Sequence, residues 1–152
     1  SMKKGITLEQ ARLALKLVKK LGIKSSCNFI IGNLGDTEKT IKETISFAKE
    51  LNPDYALFHM LTPYPGTELF EIVQRNHYLI KDIEDYTNPK YSDCVIELPG
   101  LDSKRIKSLS MKAYKSFYFR PRYIFRALSQ SFFSFDEIKK NYSLLKSFLN
   151  VK

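Results

Sequence analysis

Side chains that bind metals are scarce in this sequence. Its 152 residues include two cysteines and two histidines. Cys27 and Cys94 lie too far apart for a zinc motif and are too few for a disulfide framework, so we interpret them as separate reduced thiols. Clusters of histidines or carboxylates are absent, as are the serine and cysteine arrangements of nucleophilic enzymes. The sequence therefore predicts neither a metal ligand nor a catalytic residue in this chain.

Long apolar stretches are also missing. No run approaches the roughly 18 apolar residues of a membrane span, and no signal-peptide core follows the charged N-terminus. We therefore expect a cytoplasmic location, with peripheral attachment to a membrane left open. Ser1-Met2 resembles the scar left by tag removal, which predicts a fragment of a longer protein. The hydrophobic share of 43% is enough for one folded core.

Acidic residues are scarce in the last third of the chain. Residues 1–100 contain 13 Lys and Arg and 13 Asp and Glu, so their charges balance. Residues 101–152 contain 12 Lys and Arg against three acids, which accounts for the whole net charge of +9. The same residues hold 11 of the 20 aromatic side chains. We therefore predict an α/β region over 1–100 and a basic, aromatic helical extension over 101–152.

Helix and strand patterns alternate in the first region. Threonines suited to N-caps precede three amphipathic segments, and two short apolar runs between these segments are typical of buried strands. The predicted order is a helix from Thr7 to Gly22, a strand over 24–31, a helix from Thr37 to Asn52, a strand over 55–61 and a helix from Thr67 to Asn76. This order predicts an α/β fold with a parallel sheet. Two strands cannot close a barrel, so the sheet is expected to be incomplete.

Structural signals are sparser after residue 77. Residues 94–96 are a candidate short strand in an otherwise irregular segment. A further helix is predicted to begin at Asp102 or Ser103, and Pro121 is expected to end or kink it. A last helix is predicted over 136–149.

Two loops follow the predicted strands, at the edge of the sheet where parallel α/β folds bind ligands. The first, residues 32–36, contains two glycines before a helix N-terminus, which fits either an anion site or a plain turn. The second, residues 62–67, contains two prolines and equally fits a ligand site or a structural connection. His59 precedes this loop, on the strand face of Leu57 and Leu61, and either a structural or a functional role is open.

These motifs, in this order, resemble those of a known family. Residues 29–37 (FIIGNLGDT) are similar to its "fiiG.pGEt" strand and turn, residues 62–69 (TPYPGTEL) to its "PyPGTel" loop, and residues 117–121 (FYFRP) to its "FYlRP" stretch. The sequence thus resembles the second half of a radical S-adenosylmethionine (SAM) barrel, in the cobalamin-binding subfamily that includes the anaerobic magnesium-protoporphyrin cyclases. Leu34 and Asp36 stand where proline and glutamate are usual.

The resemblance implies a partial (β/α) barrel, similar to a TIM barrel, that holds a [4Fe–4S] cluster and SAM. In that family the cluster reduces SAM to a radical that abstracts hydrogen, which implies C–H functionalisation such as methylation or cyclisation. Cobalamin is a further implied cofactor. The resemblance also implies two groups of cofactor-binding residues: Asn28, Phe29, Ile30, Ile31 and Gly32 near the adenine, and His59, Leu61 and Thr62 at the next strand end.

Several parts of that enzyme are missing from this sequence. The family binds its cluster through three cysteines at Cys-x3-Cys-x2-Cys spacing, which does not occur here. The strand that holds the methionine moiety of SAM and a cobalamin domain are absent too. We therefore expect the isolated chain to be inactive and to bind no cofactor, with the remainder of a parent chain as its partner. Exposed sheet edges also predict self-association.

Three interpretations of the basic extension remain open. It is a solvated helical cap with its aromatic residues in the core, a helix on an anionic membrane surface, or a surface that binds RNA. A non-catalytic module that binds membranes or RNA is accordingly the alternative to the enzyme.

Overall fold

The computed structural model describes residues 5–80 and 94–131, with side chains described as far as residue 126. The predicted helix over 136–149 lies outside these residues. Contacts divide the chain into two compact units, Ser1–Tyr114 and Lys115–Lys152. The described elements are, in order, α1 (Leu8–Lys20), β1 (Ser26–Ile31), α2 (Glu38–Leu51), β2 (Tyr55–Met60), α3 (Glu68–Arg75), α4 (Ser103–Tyr118) and α5 (Pro121–Ser131).

Threonine side chains begin the first three helices, as predicted. The Thr7 hydroxyl accepts a hydrogen bond from the Gln10 amide (3.2 Å), and the Gln10 side chain accepts one from the Thr7 amide (2.8 Å). Thr37 and Thr40 form the same reciprocal pair at the start of α2, and Thr67 caps α3. These bonds satisfy amide groups that no helical carbonyl can reach.

Two helices end in the same hydrogen-bonded turn. After α1, Gly22 has a φ of +69°, and the Ile23 amide donates to the carbonyl of Val18 (3.0 Å). After α3, His77 occupies the equivalent position with a φ of +55°, and the Tyr78 amide donates back into the helix. Glycine adopts this left-handed conformation most readily, and histidine is among the few other residues that tolerate it.

Strands β1 and β2 pair in parallel, with Ser26 opposite Tyr55 and Ile31 opposite Met60. This pairing confirms the predicted α/β class, with α2 as the crossover between the strands. Both strands are shorter than predicted, because β1 begins at Ser26 instead of residue 24 and β2 ends at Met60 instead of residue 61.

The N-terminal end of the sheet is fixed by one side-chain pair. The amide and hydroxyl of Ser25 both donate to Oδ2 of Asp54, at 2.8 and 3.0 Å. The Asp54 amide donates in return to the Ser25 hydroxyl (3.2 Å). The Ser25 carbonyl also accepts a hydrogen bond from the amide of Tyr55 (3.0 Å), so this pair joins the two chain segments directly before the strands begin.

Two side chains of α4 close the outer edge of β2. The amide of Phe58 donates to Oη of Tyr114 (3.0 Å), and the hydroxyl of Ser110 donates to the carbonyl of Phe58 (3.2 Å). The amide of Leu61 donates to the carbonyl of Ile31 in β1. Because successive residues of a strand direct their backbone groups to opposite sides, those of Phe58, three residues earlier, point away from β1. At this position α4 therefore takes the place of a further strand.

One face of the sheet is buried. Phe58 is 2% exposed, stacks on Phe29 with 5.2 Å between ring centroids, and meets the edge of Tyr114 at 5.3 Å. Gly32 follows β1 and contacts α4, since a Cβ there would lie 3.0 Å from Cγ2 of Ile106. Helices α2 and α4 contribute further buried apolar side chains, among them Ile41, Ile45 and Leu51 from α2, and Ile106 and Leu109 from α4.

Ion pairs join the helices of the first unit at its surface. Arg12 of α1 binds Glu50 of α2, with 2.5 Å between Nε and Oε1, and its guanidinium lies over the Phe47 ring. Arg105 of α4 donates from Nε to Glu38 of α2 (2.5 Å). This bond holds the pKa of the Glu38 carboxyl below its usual value.

The apolar stripe predicted for α1 is not a buried face. No residue of α1 is buried, and Leu8 and Leu21, at the two ends of the stripe, are 56% and 72% exposed. Periodicity predicts the helix correctly but does not identify what covers it. A charged side chain, Arg12, makes the contact with α2 described above.

The predicted break at Pro121 is confirmed, but the helix that begins there was not predicted. The preceding helix, α4, ends at Tyr118, and Pro121 is the first residue of α5. Proline is favoured at this position because its fixed φ suits a helix and its missing N–H would have no partner there.

The amide of Arg105 donates to the side chain of Asp102, which is thereby the N-cap of α4.

The candidate strand over 94–96 is a single antiparallel bridge between Ile96 and Leu79.

The boundary between the compact units falls within α4, after Tyr114. The division predicted at residue 100 is based on charge and stays a prediction. None of the described helices combines the length and the apolar character needed to cross a bilayer.

We predict that Tyr114→Phe lowers the free energy of unfolding by about 1–3 kcal/mol, because it leaves the Phe58 amide without its acceptor. Urea denaturation measures this change. Tyr78→Phe is the control, and it is expected to change the stability by less than about 0.5 kcal/mol. Equal effects of the two substitutions would show that the hydroxyl of Tyr114 does not stabilise the sheet edge.

Candidate functional site

The face of the sheet opposite Phe58 carries a polar pair. Oδ1 of Asn28, in β1, lies 3.3 Å from Nε2 of His59, in β2. Asn28 is exposed and His59 is half-buried. Both side chains lie among apolar neighbours, since Ile30 is opposite His59 in the register and Leu57 is opposite Asn28. The arrangement offers two hydrogen-bonding groups next to apolar side chains, which suits a planar ligand with polar edges.

The structure separates the predicted residues of β1 into two sets. Asn28 and Ile30 share the face of His59, because side chains alternate along a strand. Phe29 and Ile31 lie on the opposite face, where Phe29 stacks on Phe58 and Ile31 is fully buried. The side chains of these two residues therefore point away from the face of Asn28 and His59, and their cofactor-binding role stays a prediction.

The other predicted residues lie at the strand ends. Gly32 is buried and follows β1 directly, with a φ of +80°. Leu61 is 4% exposed, and its amide donates to the carbonyl of Ile31 (3.1 Å). Thr62 is half-buried and precedes the buried Pro63. The bond of Leu61 brings the two strand ends together, and the cofactor-binding role of these residues stays a prediction.

The turn after β1 is closed by its own carboxylate. Oδ2 of Asp36 accepts hydrogen bonds from the amides of Gly32 (3.0 Å) and Asn33 (2.8 Å), and Oδ1 accepts one from the Thr40 hydroxyl (2.8 Å). Because a negative side chain already occupies these donors, they do not form an open anion site. The geometry favours the structural interpretation of this turn.

The second loop is also held by local bonds. The hydroxyl of Thr67 donates to the carbonyl of Tyr64 (2.6 Å), and the amide of Thr67 donates to the same atom (3.2 Å). Tyr64 is 45% exposed, so this rigid loop presents an aromatic ring to solvent. Tyr64 is not among the residues predicted to bind a cofactor, although its position between two prolines indicated a fixed orientation.

The residues of this chain do not fit an iron–sulfur cluster. In the described part of the chain no group of three His, Cys, Asp or Glu side chains could hold a metal ion. Burial raises the pKa of the Cys27 thiol and that of Cys94, whose Sγ donates to the carbonyl of Ile96 (3.3 Å). Burial of the two thiols therefore favours their protonated form over the thiolate that binds iron.

Comparison with known proteins extends this picture. The chain is 41% identical over 124 residues to an uncharacterized methyltransferase of Pyrococcus horikoshii. The aligned residues make up 81% of this chain and 26% of the relative. The chain is 28% identical over 148 residues to the anaerobic magnesium-protoporphyrin IX monomethyl ester cyclase of Rubrivivax gelatinosus, covering 96% of this chain and 25% of the relative. No protein-family model matches the chain.

A third relative is the bacteriochlorophyllide d C-8(2)-methyltransferase of Chlorobaculum tepidum, which is 24% identical over 110 residues, or 72% of this chain and 24% of the relative. The chain thus spans about a quarter of the length of these relatives. The predicted resemblance to the magnesium-protoporphyrin cyclases is confirmed as sequence similarity, and the similarity extends to methyltransferases.

We predict that Asp36→Asn destabilises the protein by about 1–3 kcal/mol, because an amide offers one acceptor oxygen where the carboxylate uses two. Thermal or urea unfolding measures the loss. Asp102→Asn is a matched control, since aspartate and asparagine are equally good N-caps. A loss as large at position 102 would contradict the special role of Asp36.

Proposed function

We propose that this chain forms the C-terminal part of the barrel of a radical SAM enzyme that methylates or cyclises its substrate. The observation that carries the proposal is the polar pair of Asn28 and His59 on parallel strands, in a chain whose relatives are named as methyltransferases and cyclases. Asn28 lies in the middle of β1, and His59 is next to the last residue of β2, near the strand end at which parallel α/β folds place ligand sites.

The open edge of β1 supports an extended sheet. α4 closes the sheet at Phe58 of β2, whereas in the described residues no strand pairs with the other edge of β1. An unpaired edge of this kind accepts a further strand in a larger sheet. In the proposed barrel, the other strands therefore lie on the β1 side, and β2 is the last strand.

The chain's own part in this function is to bind and orient. Asn28 and His59 would bond the polar edge of the adenine of SAM, and Ile30 and Leu57 would contact its faces. The cluster supplies the electron for the reaction, and its cysteines come from elsewhere in the parent protein, since Cys27 and Cys94 do not fit it. In this proposal cobalamin is a further cofactor of the parent, and the isolated chain is inactive.

The proposal is tested on the parent protein, purified without oxygen. We expect a Cys-x3-Cys-x2-Cys motif in its sequence, bound iron and sulfide, and an EPR signal of a reduced [4Fe–4S] cluster that changes when SAM is added. Cobalamin is assayed in the same sample. A parent without a cluster after reconstitution with iron and sulfide would refute the proposed enzyme.

Substitution of His59 tests the site in the same protein. We predict that His59→Asn weakens the binding of SAM by about tenfold, which corresponds to the loss of one hydrogen bond of about 1.4 kcal/mol. Equilibrium dialysis with labelled SAM measures the dissociation constant. His77→Asn is the control, because asparagine also tolerates the positive φ found there. Unchanged binding in His59→Asn would remove this residue from the proposed site.

A further inference from the structure

The segment from Lys115 to Ser131 carries charge of one sign. It contains four basic residues, Lys115, Arg120, Arg122 and Arg126, and no acidic residue. It includes the end of α4 and the whole of α5. A cationic segment without internal neutralisation is attracted to anionic surfaces.

One side of this segment packs on itself. The rings of Phe117, Tyr118 and Tyr123 contact one another, with centroids 4.9–5.6 Å apart, and Phe117 is fully buried. The guanidinium of Arg120 lies 4.2 Å from the centre of the Phe117 ring, and that of Arg126 lies 5.1 Å from the centre of Tyr123. These aromatic faces are therefore already covered by arginines and by other rings.

The other side presents apolar side chains to solvent. Phe125 is 76% exposed, Phe119 is 52% exposed and Ile124 is 42% exposed. On α5, Phe125 lies about 160° around the helix from Tyr123, so the exposed surface and the packed cluster are on opposite sides. Arg122 is also exposed, about 60° from Phe125. We call Ile124, Phe125 and Arg122 the α5 surface.

This combination favours a lipid surface over RNA. Proteins that bind single-stranded RNA stack bases on accessible aromatic faces beside basic residues, but here the tyrosine and arginine groups contact each other. Helices that lie on membranes instead insert exposed Phe, Ile and Leu side chains below the headgroups and keep Arg and Lys at the phosphate level. The α5 surface has that division of apolar and basic residues.

We propose that the α5 surface binds an anionic membrane, with Phe125 and Ile124 inserted between the lipids and Arg122 at the phosphates. This inference is independent of the proposed enzymatic function. It assigns a role to the basic extension, for which the sequence left three interpretations open.

The test uses the purified 152-residue chain and co-sedimentation with vesicles. We expect binding to vesicles of phosphatidylcholine and phosphatidylglycerol, and little binding to phosphatidylcholine alone. Phe125→Ser and Arg122→Glu should each weaken binding by about tenfold or more, because they remove the inserted ring and reverse a charge at the surface.

Two control variants have the same chemistry elsewhere. Leu17→Ser removes a 51% exposed apolar side chain of α1, and Lys16→Glu changes the net charge by as much as Arg122→Glu does. Both should bind like the unchanged chain, and circular dichroism checks that all four variants fold.

Three results would overturn the proposal. Equal binding to neutral and anionic vesicles, or no binding, excludes an anionic membrane. Equal losses in Lys16→Glu and Arg122→Glu indicate an effect of total charge and exclude a defined surface. Binding to transfer RNA without binding to vesicles, or a dimer that Phe125→Ser dissociates in light scattering, assigns the surface to another partner.

Discussion

The backbone of Phe58 determines where the sheet ends. Its amide and carbonyl point away from β1, and both are bound by side chains of α4, Tyr114 and Ser110. Burial raises the pKa of the Tyr114 phenol, so the group stays neutral as the hydrogen-bond acceptor. The same contact brings the Tyr114 ring to Phe58, and it fixes the helix whose Ile106 packs on Gly32. The position of α4, the closed edge of β2 and the buried face of the sheet therefore depend on one another.

Local signals account for the parts of the fold that could be predicted. Threonine caps and apolar periodicity located α1, α2 and α3, because these patterns act within a few residues. The bonds between Phe58 and α4 join residues more than 50 positions apart. No local pattern contains such a contact, so the sequence predicted α4 as a helix without its role at the sheet edge. The same limit applies to α1, whose stripe predicted a helix but not its exposure.

The candidate site shows a similar division. The structure brings Asn28 and His59 together on one face of the sheet, and the cofactor-binding role of the motif residues stays a prediction. A motif is a continuous stretch, however, and a strand sends alternate side chains to opposite faces. Phe29 and Ile31 therefore belong to the core although they lie in the same motif. The turn residue Asp36 keeps the role of a carboxylate in the place where the resembling family has glutamate, and it uses that carboxylate to bind the backbone of the turn.

The position of Tyr114 has a consequence for where this protein can be divided. The composition changes at residue 100, and a shortened protein designed on charge alone would stop there. Such a protein would lose Ser110 and Tyr114, and the backbone groups of Phe58 would face water as an unprotected strand edge. A protein shortened after residue 114 would keep both side chains. Any shortened form with a protected sheet edge therefore has to include these two hydroxyl groups of α4.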